Sequence, residues 1–211
     1  MEDVSQIRRD YKKDKLDINT VPQNPLIFFD KWMKEVLKGD FAEPTAFVLS
    51  TVSAQNTPSS RIVLLKEYDE EGFTFFTNYS SKKGSDISDN NNVSMLFFWD
   101  KYERQVRVVG KADKISIEDS ERYFKSRPYT SRIGAWASKQ SQILSSRFTL
   151  MRNVAKYMSQ FRTDVPIPEF WGGYKIIPTE IEFWQGRSSR LHDRIKYIKA
   201  NEQWDIVRLY P

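Results

Sequence analysis

The chain has 211 residues, 33 Lys and Arg against 28 Asp and Glu, a formal net charge of +5, 39% hydrophobic residues, one histidine and no cysteine. This length fits one domain, and the apolar content supports a core even at a mean hydropathy of −0.62. The composition excludes disulfides, thiolate nucleophiles and cysteine–metal sites, and one histidine would leave a zinc ion dependent on carboxylates. No apolar run approaches the roughly 18–20 residues of a membrane span, and the acidic start Met1-Glu2-Asp3 lacks an apolar signal core. A soluble, cytoplasmic protein is expected, with no metal and no membrane partner.

Residues 1–20, including Arg8-Arg9-Asp10-Tyr11-Lys12-Lys13, are charged and poor in apolar residues, which predicts a flexible arm preceding a single domain over 21–211. Pro25 opens a helix through about Leu37, with Leu26, Phe29, Trp32, Met33, Val36 and Leu37 at helical spacing and Gly39 as the stop. Strands are expected over Thr45–Val52 and Ser59–Tyr68. After the turn Asp69–Gly72, Phe73–Thr77 pairs back as a hairpin. Ser80–Asn90 is short, polar and helical. Val93–Trp99 and Gln105–Ile115 are two strands joined by the charged turn Asp100-Lys101-Tyr102-Glu103. Ile117–Ser126 reads as a helix capped by Ser116 and broken by Arg127-Pro128. Ser141–Phe161 has helical spacing through Ile143, Phe148, Met151, Val154 and Met158. Three strands close the chain, Tyr174–Trp184, Arg194–Ala200 and Trp204–Leu209. Seven or eight antiparallel strands with a few flanking helices predict a mainly β, α+β fold built as a closed or partly closed barrel. No glycine-rich phosphate loop is present, so the nucleotide folds that depend on one lack their signature.

The single histidine lies in Arg190-Leu191-His192-Asp193-Arg194. If that run is extended, Arg190, His192 and Arg194 share one face and suit a small, anionic, aromatic ligand. A lone histidine is otherwise an ordinary surface or core residue. Arg61-Ile62-Val63-Leu64-Leu65-Lys66 puts a cation at each end of an apolar strand. Its plain reading is a core strand with solvated ends; its functional reading is a phosphate site. A regular strand sends Arg61 and Lys66 to opposite faces, so a shared phosphate needs a bulge or a second subunit. Lys82 and Lys83, where a helix opens after Asn78-Tyr79-Ser80-Ser81, make either an anion site or a solvated basic turn. Arg127 and Ser131 beside Pro128 fit a phosphate or a helix cap, and Gln105, Gln140 and Ser141 are groups of the kind that read a heterocycle edge. Acids and bases are interspersed. Composition therefore leaves both nucleic acid and phosphorylated small molecules open as partners.

In this order, the segments Arg61–Lys66, Glu103-Arg104-Gln105-Val106, Ser126-Arg127-Pro128, Ile133-Gly134-Ala135-Trp136, Ser138-Lys139-Gln140-Ser141, Phe170-Trp171-Gly172-Gly173 and Ile181–Arg194 resemble the pyridoxine/pyridoxamine 5′-phosphate oxidase family over nearly the whole chain. The resemblance implies an FMN-binding split β-barrel working as a homodimer, with flavin at the subunit interface. It implies oxidation of pyridoxamine 5′-phosphate or pyridoxine 5′-phosphate to pyridoxal 5′-phosphate, with O2 reduced to hydrogen peroxide and no nucleic-acid partner. By motif, FMN would meet Arg61, Ile62, Val63, Leu64, Leu65, Lys66, Phe76, Thr77, Lys82, Lys83, Gln105, Gln140, Ser141, Trp184 and Arg194. The substrate phosphate would meet Lys66, Tyr123, Arg127 and Ser131. Arg190, Leu191 and His192 would hold the pyridine ring, with Arg190 and His192 catalytic, and Arg8, Arg9, Asp10 and Tyr11 resemble a segment that folds over bound ligand. In this picture a cation such as Arg194 stabilises the reduced ring. Two features depart from the family pattern: Lys82 stands where arginine is frequent, losing the bidentate fork, and Tyr79-Ser80 replaces a smaller, glycine-containing turn. The competing readings are a related flavin enzyme acting on another aromatic compound, as in phenazine formation, a non-enzymatic flavin or pyridoxal-phosphate carrier, and a basic nucleic-acid binder.

Overall fold

The computed structural model describes residues 2–7 and 9–211. The expectation placed on Arg8 lies outside the described residues. Helix α1 (Pro25–Lys38) starts where expected, because Asn24 accepts a hydrogen bond from the Leu26 amide at 2.8 Å and proline fits the first turn. Its buried stripe is Leu26, Phe29, Trp32, Met33 and Val36, while Leu37 points outward. The strands are β1 (Ala46–Val52), β2 (Pro58–Leu64), β3 (Glu67–Tyr68), β4 (Phe73–Asn78), β5 (Asn92–Trp99), β6 (Arg104–Lys114), β7 (Trp171–Gln185), β8 (Asp193–Ala200) and β9 (Gln203–Arg208). They form one nine-stranded sheet in the order β2-β1-β5-β6-β7-β4-β3, with β8 paired to β7 and β9 to β8. Every pairing with a described register, β3–β4, β4–β7, β7–β8 and β8–β9, is antiparallel. The flanking helices are α2 (Lys82–Asp89), α3 (Ile117–Ser126), α4 (Tyr129–Ala137) and α5 (Arg147–Phe161). No helix among the described residues is long and apolar enough to cross a membrane.

Three local expectations are corrected. The strand expected over Ser59–Tyr68 is two strands, interrupted at Leu65-Lys66. Four consecutive apolar residues cannot all be buried by simple alternation. The interruption takes Leu65 into the core (4% exposed) and leaves Ile62 at 70%. Pro128, read as a breaker, also begins α4, with its carbonyl accepting from the Ser131 and Arg132 amides at 2.9 and 3.1 Å. Helix α5 starts at Arg147 rather than near Ser141, because the Ser146 hydroxyl caps it by accepting from the Thr149 amide at 3.1 Å.

The chain divides into two compact units. The first (residues up to 49, 94–110 and 178–211) has an aromatic core. Phe28 lies 4.2 Å from Phe183 between ring centroids, Trp32 5.2 Å from Phe183, and the Tyr197 hydroxyl donates to the Pro22 carbonyl at 2.8 Å. These large rings bury much apolar area at little rotamer cost. The second unit (50–93 and 111–177) has a core of Phe124, Ile133, Val165 and Trp171. Against it lie Phe76 and Tyr123, stacked at 3.8 Å.

Two helical glycines differ sharply in the space around them. A Cβ on Gly84 in α2 would collide with the Tyr79 backbone, whereas one on Gly134 in α4 meets nothing within 4 Å. Gly84→Ala should therefore cost about 1–3 kcal/mol. Gly134→Ala should be neutral or gain up to about 1 kcal/mol from helix propensity. Thermal unfolding of the two apoprotein variants side by side checks this, and equal melting shifts would contradict it.

Candidate functional site

The second unit contains a cleft of about 660 Å³. Strand β2 contributes Arg61, Ile62, Val63 and Leu64, and the interruption after it contributes Lys66. The end of β4 brings Phe76 and Thr77, α2 brings Lys83, and α3 with its C-cap brings Tyr123 and Arg127. Ser131 of α4 and Gln140 complete the polar wall. Twelve residues selected by motif thus converge: Arg61, Ile62, Val63, Leu64, Lys66, Phe76, Thr77, Lys83, Tyr123, Arg127, Ser131 and Gln140. The interruption at Leu65-Lys66 resolves the strand-face problem, since Arg61 and Lys66 line one cleft within a single chain. Leu65 is core. Lys82 and Ser141 lie outside the lining; Lys82 pairs with Asp86 at 3.0 Å, and Ser141 has a left-handed φ of 71°.

Four cations, Arg61, Lys66, Lys83 and Arg127, line the cleft, and none of its described lining residues is a carboxylate. Arg61 donates to Thr51 Oγ1 at 2.8 Å and to Ser59 Oγ at 2.6 Å. Asp86 lies 4.0 Å from Arg61, but it also accepts from Thr51 at 2.8 Å and from Lys82. The buried Lys83 donates to Thr77 Oγ1 and Gln140 Oε1, both at 3.1 Å, neutral oxygens that leave its charge uncompensated. Arg127 lies 4.7 Å above the Trp171 ring, and its Nη1 is buried with no hydrogen-bond partner among the described residues. Burial pushes the pKa values of Arg61, Lys83 and Arg127 down, and the Arg61 charge lowers that of Lys83 further. Burial likewise raises the Tyr123 hydroxyl, keeping it a neutral donor. A phosphate dianion would satisfy the orphaned Nη1 and offset this repulsion. The neutral donors and the β2 backbone fit a flat heterocycle.

The first unit carries a second group of selected residues. The expected extended run through Arg190 and His192 is corrected. Ser188–Arg190 form a 3-10 turn, with Ser189 and Arg190 at φ 56° and 62°, and β8 begins only at Asp193. The polar stretch Arg187-Ser188-Ser189 has no apolar alternation to hold it in a sheet, and Ser188 O closes the turn on the Leu191 amide at 3.1 Å. Arg190, His192 and Arg194 therefore do not share a strand face. His192 Nδ1 accepts from the Arg187 amide at 3.1 Å. A backbone N–H can only donate, so Nδ1 is unprotonated and the neutral ring carries its proton on Nε2. Burial, reinforced by the Arg190 charge and opposed by Asp193, pushes the His192 pKa down. The imidazole lies 4.6 Å from the Trp184 ring. Arg190 and Leu191 are exposed. Arg194 donates to Glu182 at 2.7 Å and to the Tyr210 carbonyl at 2.9 Å; the Glu182 hydrogen bond raises its pKa and largely occupies its charge. Leu191, His192 and Arg194 also border a hollow of about 510 Å³ beside Arg208–Pro211.

Tyr11 sets its ring 5.8 Å from both Trp184 and His192. Arg9 reaches Glu103 at 3.4 Å, Asp10 pairs with Lys12 at 3.0 Å, and Gln105 is half-buried on β6. Three residues with evident roles in holding these groups were given no role from sequence: Thr51, Asp86 and Glu103. Asp86 sits four residues after Lys82, a spacing that signals a helical ion pair. Nothing local marks the other two.

The profile described as "Pyridoxamine 5′-phosphate oxidase" matches residues 33–160, and "Pyridoxine 5′-phosphate oxidase C-terminal dimerisation region" matches 171–211. A pyridoxine/pyridoxamine 5′-phosphate oxidase of Haemophilus influenzae is 48% identical over 209 residues, covering 99% of this chain and 100% of the relative. One of Ralstonia pickettii is 49% identical over 212 residues, covering 100% of both. Among solved structures, PhzG from Burkholderia lata, in complex with tetrahydrophenazine-1-carboxylic acid, matches with a TM-score of 0.88 at 26% identity over 94% of this chain and 98% of that one. A pyridoxamine 5′-phosphate oxidase-related, FMN binding protein from Nostoc punctiforme shares the fold, with a TM-score of 0.68 at 15% identity over 90% of this chain and 98% of that one. The fold is thus that of the FMN-binding split barrels, antiparallel with flanking helices. The chain belongs to the pyridoxine/pyridoxamine 5′-phosphate oxidase family.

The pH dependence of turnover tests the His192 assignment. A pKa below its ordinary 6.5 leaves the ring neutral above that value, and acid protonates it and removes the bond from the Arg187 amide. Turnover at saturating substrate should be flat between about pH 6.5 and 8 and fall on acidification. His192→Asn should lose the acid limb. A wild-type rate that rises as pH falls below 6 (roughly, one half-unit under the ordinary value) would contradict a working neutral imidazole.

Proposed function

We propose that this protein is an FMN-dependent oxidase converting pyridoxamine 5′-phosphate and pyridoxine 5′-phosphate to pyridoxal 5′-phosphate, with O2 reduced to hydrogen peroxide. The observation that carries the reading is the cleft with four cations and an unpartnered buried Arg127 Nη1, in a chain 48% identical over its length to a relative of that name. The C-terminal match over 171–211 to a dimerisation region supports a homodimer. A cytoplasmic enzyme is the setting that goes with this reading.

The residues present fit FMN on structural grounds: a cationic, carboxylate-free wall for its phosphate and neutral donors for a heterocycle. When bound, FMN supplies a two-electron acceptor that O2 then reoxidises. Arg61 and Lys83 hold its phosphate, with Thr77, Gln140 and the β2 backbone alongside; Ser141, Gln105 and Trp184 are assigned to it by family motif. Lys66, Tyr123, Arg127 and Ser131 hold the substrate phosphate, and Arg127 supplies the bidentate fork. Arg190 orients the pyridine ring. His192 donates from Nε2 to a ring substituent; with Nδ1 engaged by Arg187, it is a hydrogen-bond donor rather than an obligatory base. Holding the exocyclic carbon in alignment is the main work of the protein. Arg194, paired with Glu182, which Arg107 also reaches, borders the hollow beside Arg208–Pro211.

The similarity to PhzG favours a second reading, oxidation of a non-phosphorylated aromatic compound. Comparing turnover of pyridoxamine 5′-phosphate with that of pyridoxamine separates the two. Adding pyridoxamine 5′-phosphate without air to the yellow holoenzyme should bleach the flavin absorbance, and readmitting air should restore colour with stoichiometric peroxide. An unbleached spectrum would overturn the proposal. Arg127→Ala should raise the KM for phosphorylated substrate at least about tenfold with flavin retained, the scale of one lost charge-assisted interaction. Arg190→Ala should lower turnover per bound flavin, again at least about tenfold. An unchanged KM, or an unchanged turnover, would remove the respective residue from its role.

A further inference from the structure

Residues 9–16 contain no helix or strand, yet buried side chains hold them. Glu103 is 3% exposed, and its Oε2 accepts from the amides of Lys12 and Lys13 at 2.9 and 3.0 Å, while Oε1 lies 3.4 Å from Arg9 Nη2. Arg104 donates to Asp14 at 2.7 Å, and Asp193 Oδ2 accepts from the Leu16 amide at 3.0 Å. Glu103 adopts φ 55° and ψ 38°, a left-handed backbone that costs an L-residue roughly 1–2 kcal/mol. Its own carbonyl accepts from the Gly186 amide at 2.7 Å. One strained, buried residue therefore grips the arm with its side chain and the approach to His192 with its backbone.

The contact is close enough to depend on a missing side chain. A Cβ on Gly186 would stand 2.8 Å from Tyr11 Cγ and 3.1 Å from Glu103 Cβ. Only glycine lets Tyr11 settle over this backbone and reach the edges of Trp184 and His192.

We propose that Glu103 is a positioning residue: its buried carboxylate clamps the arm so that Tyr11 is held against His192 and Trp184 before substrate arrives. This rests on the oxidase reading above. An arm already ordered adds no ordering cost when substrate binds. Releasing it transfers that cost to binding, which raises KM, while the saturated complex re-forms the same arrangement and keeps kcat. A carboxylate that merely stabilised the fold would not split the two constants in this way.

The test uses FMN-loaded full-length protein. Hydrogen exchange without substrate should show the Lys12, Lys13 and Leu16 amides protected in wild type and exchanging at least about tenfold faster in Glu103→Gln. In steady state, Glu103→Gln should raise the KM for pyridoxamine 5′-phosphate about tenfold, with kcat within about twofold and flavin content unchanged. Gly186→Ala, whose Cβ would crowd both Tyr11 and Glu103 Cβ, should reproduce the faster exchange and higher KM, and it serves as the second variant if Glu103→Gln does not fold. Unchanged exchange, or a loss of kcat at constant KM, overturns the clamp. A wild-type holoenzyme that does not oxidise the substrate strikes instead at the oxidase reading, and the exchange result still decides whether Glu103 holds the arm.

Discussion

Positive charge gathered around one cleft governs this structure. Arg61, Lys66, Lys83 and Arg127 face one cleft whose described lining contains no carboxylate. Burial lowers the pKa values of Arg61, Lys83 and Arg127, and at Lys83 the Arg61 charge adds to it. Three of the cations are fixed by neutral groups: Arg61 by Thr51 and Ser59, Lys83 by Thr77 and Gln140, Arg127 by the Trp171 face. Asp86, the nearby acid, is divided among Thr51, Lys82 and Arg61 and does not line the cleft. An anionic ligand would complete the electrostatics, and the proposed phosphate recognition rests on that.

The chemistry of the first unit is set by a different device, a turn. Left-handed residues at Ser189 and Arg190 bend the chain so that the Arg187 amide meets His192 Nδ1. That bond fixes the tautomer, and burial with the Arg190 charge keeps the ring neutral. His192, Trp184 and Tyr11 then form an aromatic cluster whose third member arrives from an otherwise irregular arm. Glu103 ties the arm to the backbone just before this turn, so the placements of Tyr11 and of the imidazole share one support.

Much of this was legible in the sequence where a local rule governs. Pro25 and, before Ile117, Ser116 announce their helices, and the Asp69–Gly72 turn sets the β3–β4 register of Tyr68 against Phe73. The cleft cations were legible as charges at the ends of apolar or helical segments. Their convergence was not, because it depends on the interruption at Leu65-Lys66, and four apolar residues in a row do not say which will be buried. Pro128 ends one helix and starts the next, and a breaker rule sees only the first act. The turn at Ser188–Arg190 hides in residues with weak preferences. Glu103 is least legible: it appears as one more charge in a polar turn, while its partners Lys12 and Lys13 lie about ninety residues away in sequence.

The central claim is that the cleft reads phosphate through clustered cations. Calorimetric titration of apoprotein with FMN and with riboflavin, which differ only in that group, tests it most directly. The account predicts FMN binding at least about a hundredfold tighter than riboflavin, with an advantage that shrinks as salt is raised. Equal affinity for the two, or a preference insensitive to salt, would contradict it.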